Sequence, residues 1–327
     1  MNIWGLTCFF NPCNSLNRLH NYSIFRSLFP FPLLTVEWSR QGQFELNHGS
    51  ADLLIQLDDG DLMWQKERLI AIGEKYLPTN CDAFLIVDAD IIFDLNFVEH
   101  LTHALKQYPI VYPYRTVRHL YPNLILEDAV FQRDSYFPRF LFERQSMADF
   151  ALNGSRDLNN NVNPIIRMIE PTDCNTTQKT SPGHVVAFDR EWYKDHSIYQ
   201  HCIIGGGDYV YLSALLGCPE QCKKIPFGMN GFFDHYMQWV NALNFDSYTT
   251  ILGCTSNMIG HLYHGRIETR QYLSRHLFLS TLGFNPRIHL IDQIDKPFSW
   301  NSNIPNNDLY LNLMNQYFSS RKEDLMV

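Results

Sequence analysis

The chain has 327 residues, with 26 Lys and Arg against 34 Asp and Glu, for a net charge of −8. That acidic total argues against a dedicated binder of nucleic-acid phosphate, whose footprint is basic. A content of 45% hydrophobic and 18% charged residues argues against wholesale disorder. Any phosphate this chain holds needs a metal or a few placed cations.

The elements follow in chain order. Asn2–Phe9 reads as a buried strand. Ser15 is an N-cap for a helix to about Phe29, with Leu16, Leu19, Tyr22 and Phe25 on one side, and Pro30 and Pro32 end it. Leu33–Trp38 and Asp52–Leu57 are the next strands, with turn-like Gly42–Gly49 between them. Asp61 is expected to cap a helix over Met63–Leu77, striped by Leu69, Ile72, Gly73 and Tyr76. Ala83–Val87 is a fully apolar strand, as in a sheet covered on both faces. Phe97–Tyr108 is a helix striped by Val98, Leu101, Leu105 and Tyr108, and Ile110–Tyr114 is a strand. Alternating strands and helices predict a doubly wound α/β unit.

The pattern then weakens. Val117–Phe150 is rich in Tyr, Phe and Arg without clear periodicity. Residues 153–182, polar and Pro-containing, read as a long surface loop of the kind that closes over sites. Gly183–Phe188 is a short strand, and a helix runs from about Asp208 to Leu216. Trp239–Leu243 lies in another helix, Ile259–His264 is strand-like, and Thr269–Leu282 is helical. No run of about 18 apolar residues is present, so no spanning helix is expected. No basic start resembles a signal peptide, so the expected location is cytoplasmic and the eight cysteines are expected as thiols. Cys218 and Cys222 read as two loop thiols rather than half a zinc site.

Four short segments carry candidate chemistry. Asp88-Ala89-Asp90 stands where a buried strand leaves the sheet, the place where α/β sheets bind ligands. The two carboxylates have the hard oxygens a divalent cation takes. The plainer reading is a strand end with two solvated acids. Gly205-Gly206-Gly207-Asp208 lets backbone approach a ligand and puts an acid at a helix start, although taken alone these residues read more simply as a flexible turn with a capping Asp. His261-Leu262-Tyr263-His264 offers imidazoles to a metal. On a continuous strand positions 261 and 264 face opposite ways, which makes His264 the ligand candidate. Lys66 and Arg68 offer cations to a diphosphate at a helix start, or belong to a solvated face.

The order of these segments resembles the GT-A class of nucleotide-sugar glycosyltransferases, and within it the β-1,4-galactosyltransferase-like group and soluble bacterial relatives. Trp64–Gly73 leading into Cys81–Asp90 is similar to that group's helix and D-V-D strand. Gly183–Phe188 resembles its G-G-V-S-A-L strand, Gly205–Asp208 the end of its W-G-G-E-D turn, and His261–His264 its M-x-x-H segment. The chain departs from the pattern at Ile204, where the group has Trp, at Gly207, where it has Glu, and at His261, where it has Met.

The resemblance implies a GT-A, Rossmann-like fold with a doubly wound mixed sheet in a single large domain, residues 1–286. That domain comprises a nucleotide-binding half to 115, a variable loop region at 116–182 and an acceptor and metal half from 183. Residues 287–327 would form an extension packed on it. The resemblance implies a hexosyltransferase moving a sugar from a UDP-type donor to a hydroxyl of a glycan, protein or small molecule, with inversion and with Mn²⁺ or Mg²⁺. Asp90, His264 and Asp88 would serve the metal. Thr7, Phe9, Glu37, Trp38, Lys66, Arg68, Asp88 and Ala89 would line the donor site. Asp208 would be the base, with Gly206 and Gly207 beside the acceptor. Two other readings stand beside it. One is a haloacid-dehalogenase-like phosphatase with Asp88 as nucleophile, and the other is a non-catalytic nucleotide-sugar binding module.

Overall fold

A computed structural model of the chain describes residues 1–153, 180–223, 231–305, 307–321 and 323–324. The expected closing loop at 153–182 lies almost wholly outside the described residues, as does Cys174. The strands and helices are β1 (Ile3–Phe10), α1 (Leu16–Leu28), β2 (Leu33–Trp38), β3 (Leu53–Leu57), α2 (Lys66–Glu74), β4 (Ala83–Val87), β5 (Ile91–Phe93), α3 (Phe97–Ala104), β6 (Ile110–Tyr112) and β7 (Thr116–Leu120). There follow α4 (Leu126–Asp134), β8 (Phe140–Ser146), α5 (Met147–Asn153), β9 (Thr180–Ser181), β10 (Val185–Asp189), α6 (Arg190–Asp195), α7 (Gly207–Leu215) and α8 (Gly231–Leu243). The last are α9 (Tyr248–Ile251), β11 (Leu252–Cys254), β12 (Met258–His261), α10 (Tyr272–Thr281), α11 (Pro286–His289), β13 (Leu290–Ile291), β14 (Ser299–Trp300) and α12 (Asn307–Ser320).

The expected α/β class with a mixed sheet is what the chain adopts. A seven-stranded sheet runs β11-β6-β10-β4-β1-β2-β3. Its β3-β2-β1-β4 portion is parallel, the order of a Rossmann-like half, and β10 enters antiparallel between β4 and β6. All five residues of β4 are buried, which is why its sequence has no polar alternation. A second, five-stranded sheet runs β5-β12-β7-β8-β9. The chain passes from the first sheet to the second through Asp88-Ala89-Asp90, between β4 and β5. Val117–Phe150, without periodicity in the sequence, holds β7, α4, β8 and α5.

Several helix faces differ from their sequence stripes. Leu16 is exposed, and α1 buries Asn21, Tyr22, Ile24 and Phe25 instead. The first turn of α1 is taken up by polar contacts: Ser15 caps it, and the amides of Leu16 and Asn17 donate to Asp324. Helix α2 starts at Lys66 rather than Met63, because Asp61 accepts a bond from the Trp300 amide at 2.8 Å instead of capping the helix. Tyr76 and Val98 fall on exposed surface. Among the described residues the cysteines form no disulfide, and Cys218 and Cys222 are both buried. Among the described residues no helix is long and apolar enough to cross a membrane.

Candidate functional site

The site assembles where the two sheets meet. Thr7 of β1 donates its hydroxyl to the Val87 carbonyl at 2.7 Å, holding the last residue of β4. The Asp88 amide then donates to the His184 carbonyl at 2.8 Å, which fixes the chain as it leaves the sheet. Beyond Asp90, β5 pairs antiparallel with β12, setting Ile91 opposite His261. Asp94, buried, locks that pairing by accepting from Asn257 Nδ2 at 2.7 Å and from the Met258 amide at 2.8 Å. The Leu262 amide donates to the Asp90 carbonyl at 2.9 Å, bringing the end of β12 against Asp90 itself.

Strand β12 ends at His261, so the two-residue alternation stops there and His264 turns back toward its neighbour. Ligand atoms of Asp90, His261 and His264 all lie within 4.8 Å of one another. The Asp90 Oδ2 is 3.2 Å from His264 Nε2 and 3.7 Å from His261 Nε2. This corrects the expectation that His261 faces away from His264. The donor set fits a divalent cation. Asp90 Oδ1 is buried with no hydrogen-bond partner among the described residues. Burial, together with the neighbouring Asp88, pushes the Asp90 carboxyl up to about 7. Burial also holds both imidazoles well below the usual range, so they are neutral rings with lone pairs to give. The His264 Nε2 accepts from Arg270 Nη2 at 2.9 Å, which identifies that nitrogen as a lone-pair donor.

Asp88 does not join the triad directly. Its Oδ1 pairs with Lys66 Nζ at 2.6 Å, and Lys66 also pairs with Asp208 Oδ1 at 3.2 Å. Burial opposes the charge on Lys66, but Asp208, Asp88 and Glu67 outweigh it and hold the ammonium well above its usual range. One fixed cation therefore bridges the two acids that the sequence singled out. Asp208 stands in the first turn of α7, whose N-cap Gly206 is left-handed at φ 93°. The helix dipole there favours a carboxylate. Close approach explains two glycines: a Cβ on Gly183 would lie 2.6 Å from Asp208 Oδ2, and one on Gly207 would lie 2.1 Å from Glu67 Oε1. The glycine turn is thus filled by the chain's own Glu67. Burial, with the nearby Asp208, pushes the Glu67 carboxyl up to about 8, against the pull of Lys66. A small cavity of about 20 Å³, lined by Tyr112, Ile198 and Tyr211, lies beside Lys66 and Asp208.

The remaining sequence candidates are placed less openly. Arg68 is turned away from the acids. It donates to the Lys296 carbonyl, to Gln200 Oε1 and to the Gln293 carbonyl, pairs with Asp292 at 2.9 Å and lies over the Phe298 ring. Of the two cations, Lys66 is the one that pairs with Asp88 and Asp208, and Arg68 braces the C-terminal segment. Glu37 is buried, accepting from the amides of Glu45 and Leu46 and from Gln56. Trp38 is buried with its indole donating to the Asp59 carbonyl. Phe9 is buried edge-on against Tyr22. Ala89 is half-buried between the two acids. Sequence reasoning passed over His119 and His184, whose rings stand 4.7 and 5.0 Å from His261. Nothing in linear spacing marks them. His119 reaches the site through the pairing of β7 with β12, and His184 from the residue just before β10, whose carbonyl accepts from the Asp88 amide.

No family model and no curated protein matches the chain. It is similar to a solved structure of S. aureus TarS at 12% identity and a TM-score of 0.39, over 86% of this chain and 40% of that one. The chain thus spans well under half the length of that protein. It is similar to a mannosyltransferase from Pyrobaculum calidifontis in complex with GDP-Man and Mn²⁺, at 12% identity and a TM-score of 0.37, over 97% of this chain and 69% of that one. It is also similar to glucosyl-3-phosphoglycerate synthase from Mycobacterium tuberculosis with Mn²⁺, UDP-Glc and phosphoglyceric acid, at 10% identity and a TM-score of 0.34, over 94% and 91% of the two chains. These three do not include a β-1,4-galactosyltransferase.

Proposed function

We propose that the chain is a metal-dependent glycosyltransferase that moves a hexose from a UDP-linked donor to a hydroxyl acceptor with inversion. The observation that carries the reading is one continuous arrangement. The Asp90, His261 and His264 donors lie within 4.8 Å of one another, and Lys66 joins the adjacent Asp88 to Asp208. A cation site and a positioned acid, at the carboxyl end of one strand, are what transfer from a diphosphate leaving group requires.

In this reading Asp90, His261 and His264 hold the metal and Asp88 stands beside it. When bound, a divalent cation supplies Lewis-acid compensation for the charge on the departing diphosphate. Lys66, held charged by its acidic neighbours, fixes Asp208 and offsets negative charge brought by the donor. Asp208 Oδ2 takes the proton from the acceptor hydroxyl as that oxygen attacks the anomeric carbon on the face opposite the leaving group. A backbone as crowded as Gly207 against Glu67 leaves the acceptor no room at that residue.

The test is donor turnover. With a panel of UDP- and GDP-hexoses and Mn²⁺, sugar release or transfer is expected, abolished by EDTA and by Asp90→Ala. Full turnover in EDTA overturns the metal reading. Donor binding without any turnover points instead to a binding module.

A further inference from the structure

Strand β7 pairs in parallel with β12, and the register sets His119 directly beside His261. Both side chains are buried, and their Nδ1 atoms are 3.1 Å apart. His261 presents its other nitrogen, Nε2, toward His264 Nε2 at 3.2 Å and toward Asp90. A neutral imidazole carries one proton, on one nitrogen. For Nε2 to give its lone pair to a cation, the proton of His261 must sit on Nδ1. Buried N–H groups mostly find an acceptor, and among the described residues the atom within reach of that proton is His119 Nδ1, which leaves the proton of His119 on its own unpartnered Nε2.

His119 is itself well fixed for that task. Its ring stacks on Phe142 at 4.2 Å between centroids, and Phe142 in turn lies under the Arg144 guanidinium. Strand β8 carries both residues and pairs antiparallel with β7, with Phe142 opposite His119. The ring is thus held from one side by stacking and meets His261 on the other.

We propose that His119 is a positioning residue that accepts a hydrogen bond from His261 Nδ1 and so makes His261 the third protein ligand of the metal. This rests on the metal-site reading above. Groups that fix a ligating imidazole through its far nitrogen change metal affinity by roughly 10- to 100-fold when removed.

The experiment is calorimetric titration of the metal-free protein with Mn²⁺ alone, with thermal unfolding of each variant alongside. His119→Phe keeps a flat ring against Phe142 and loses the acceptor. It is expected to weaken Mn²⁺ binding about 10- to 100-fold. His119→Asn places an amide oxygen close to where Nδ1 stands and is expected to restore most of the affinity. Nitrogen-15 spectra of His261 should show the Nδ1-protonated tautomer in the Mg²⁺- or Zn²⁺-loaded wild type. Equal Mn²⁺ affinity in wild type and His119→Phe overturns the role of His119 while leaving the metal site standing. Equal loss in His119→Phe and His119→Asn makes the residue structural only and overturns the proposal. A wild-type protein that binds no divalent ion overturns both this inference and the metal reading.

Discussion

Replacing Asp208 by Asn keeps the shape of the side chain and removes its capacity to take a proton. The amide can still face Lys66, whose other partner, Asp88, is untouched at 2.6 Å. Asp208→Asn is therefore expected to bind Mn²⁺ like the wild type while transfer falls by ~10²- to 10⁴-fold, the usual worth of a positioned base. Calorimetry set against product formation checks it, and an undiminished transfer rate removes Asp208 from the base role. At this scale the sequence was informative where chemistry is linear. Asp88, Asp90 and Asp208 fall at element ends, and their acidity beside apolar runs marks them. It misled where a side chain's direction depends on where a strand stops. His261 was set aside because an alternating strand to position 264 would separate the two imidazoles, and β12 ends three residues earlier. Arg68 misled for another reason: its partners, Gln293 and Lys296, lie more than two hundred residues away.

Elements meet at the site through close contacts that side chains would block. The segment entering β10 passes so near the start of α7 that a methyl group on Gly183 would reach 2.6 Å from Asp208 Oδ2. The obstructing atom is the free end of a side chain, so the fold can yield there while the carboxylate moves. Gly183→Ala is expected to keep its thermal midpoint within a few degrees and its Mn²⁺ affinity, and to lose on the order of 10²-fold in kcat, as misplacement by about 1 Å does. A wild-type kcat would show that the Asp208 position is not critical. The elements of the first sheet were readable because each carries its own period: β4 is apolar throughout, and Ser15 caps α1 as expected. The second sheet was not, because β8 is half-buried along most of its length and β9 is only two residues long. Strand β8 is held by pairing with β7 and β9 by pairing with β8, which no local pattern announces. His119 was hidden for the same reason, since it is a neighbour of His261 only through that sheet.

Across the whole molecule, the chain's end is tied to its beginning. Glu323 is buried and pairs with Arg18 of α1 and with Arg321 at 2.6 Å, while Phe318 of α12 packs edge-on against Phe10 of β1 at 5.3 Å. Ser15 and the first amides of α1 are held by Asp324. Burial alone would raise the Glu323 carboxyl, but Arg18 and Arg321 outweigh it and lower it from 4.5 to about 2. A carboxylate depressed on folding contributes stability that is present above its unfolded value and lost as pH falls through its folded one. The wild type is therefore expected to lose stability as pH drops from about 4.5 toward about 2 through this residue. Glu323→Gln leaves the half-buried Arg18 and the buried Arg321 guanidinium groups without their counter-charge, a change that costs on the order of 3 kcal/mol at neutral pH, the low end for breaking a buried pair. Denaturant unfolding at pH 7 should show that loss, and the difference between variant and wild type should shrink as the pH approaches 3. A constant difference across that range would mean that the charge on Glu323 is not what holds the terminus against α1.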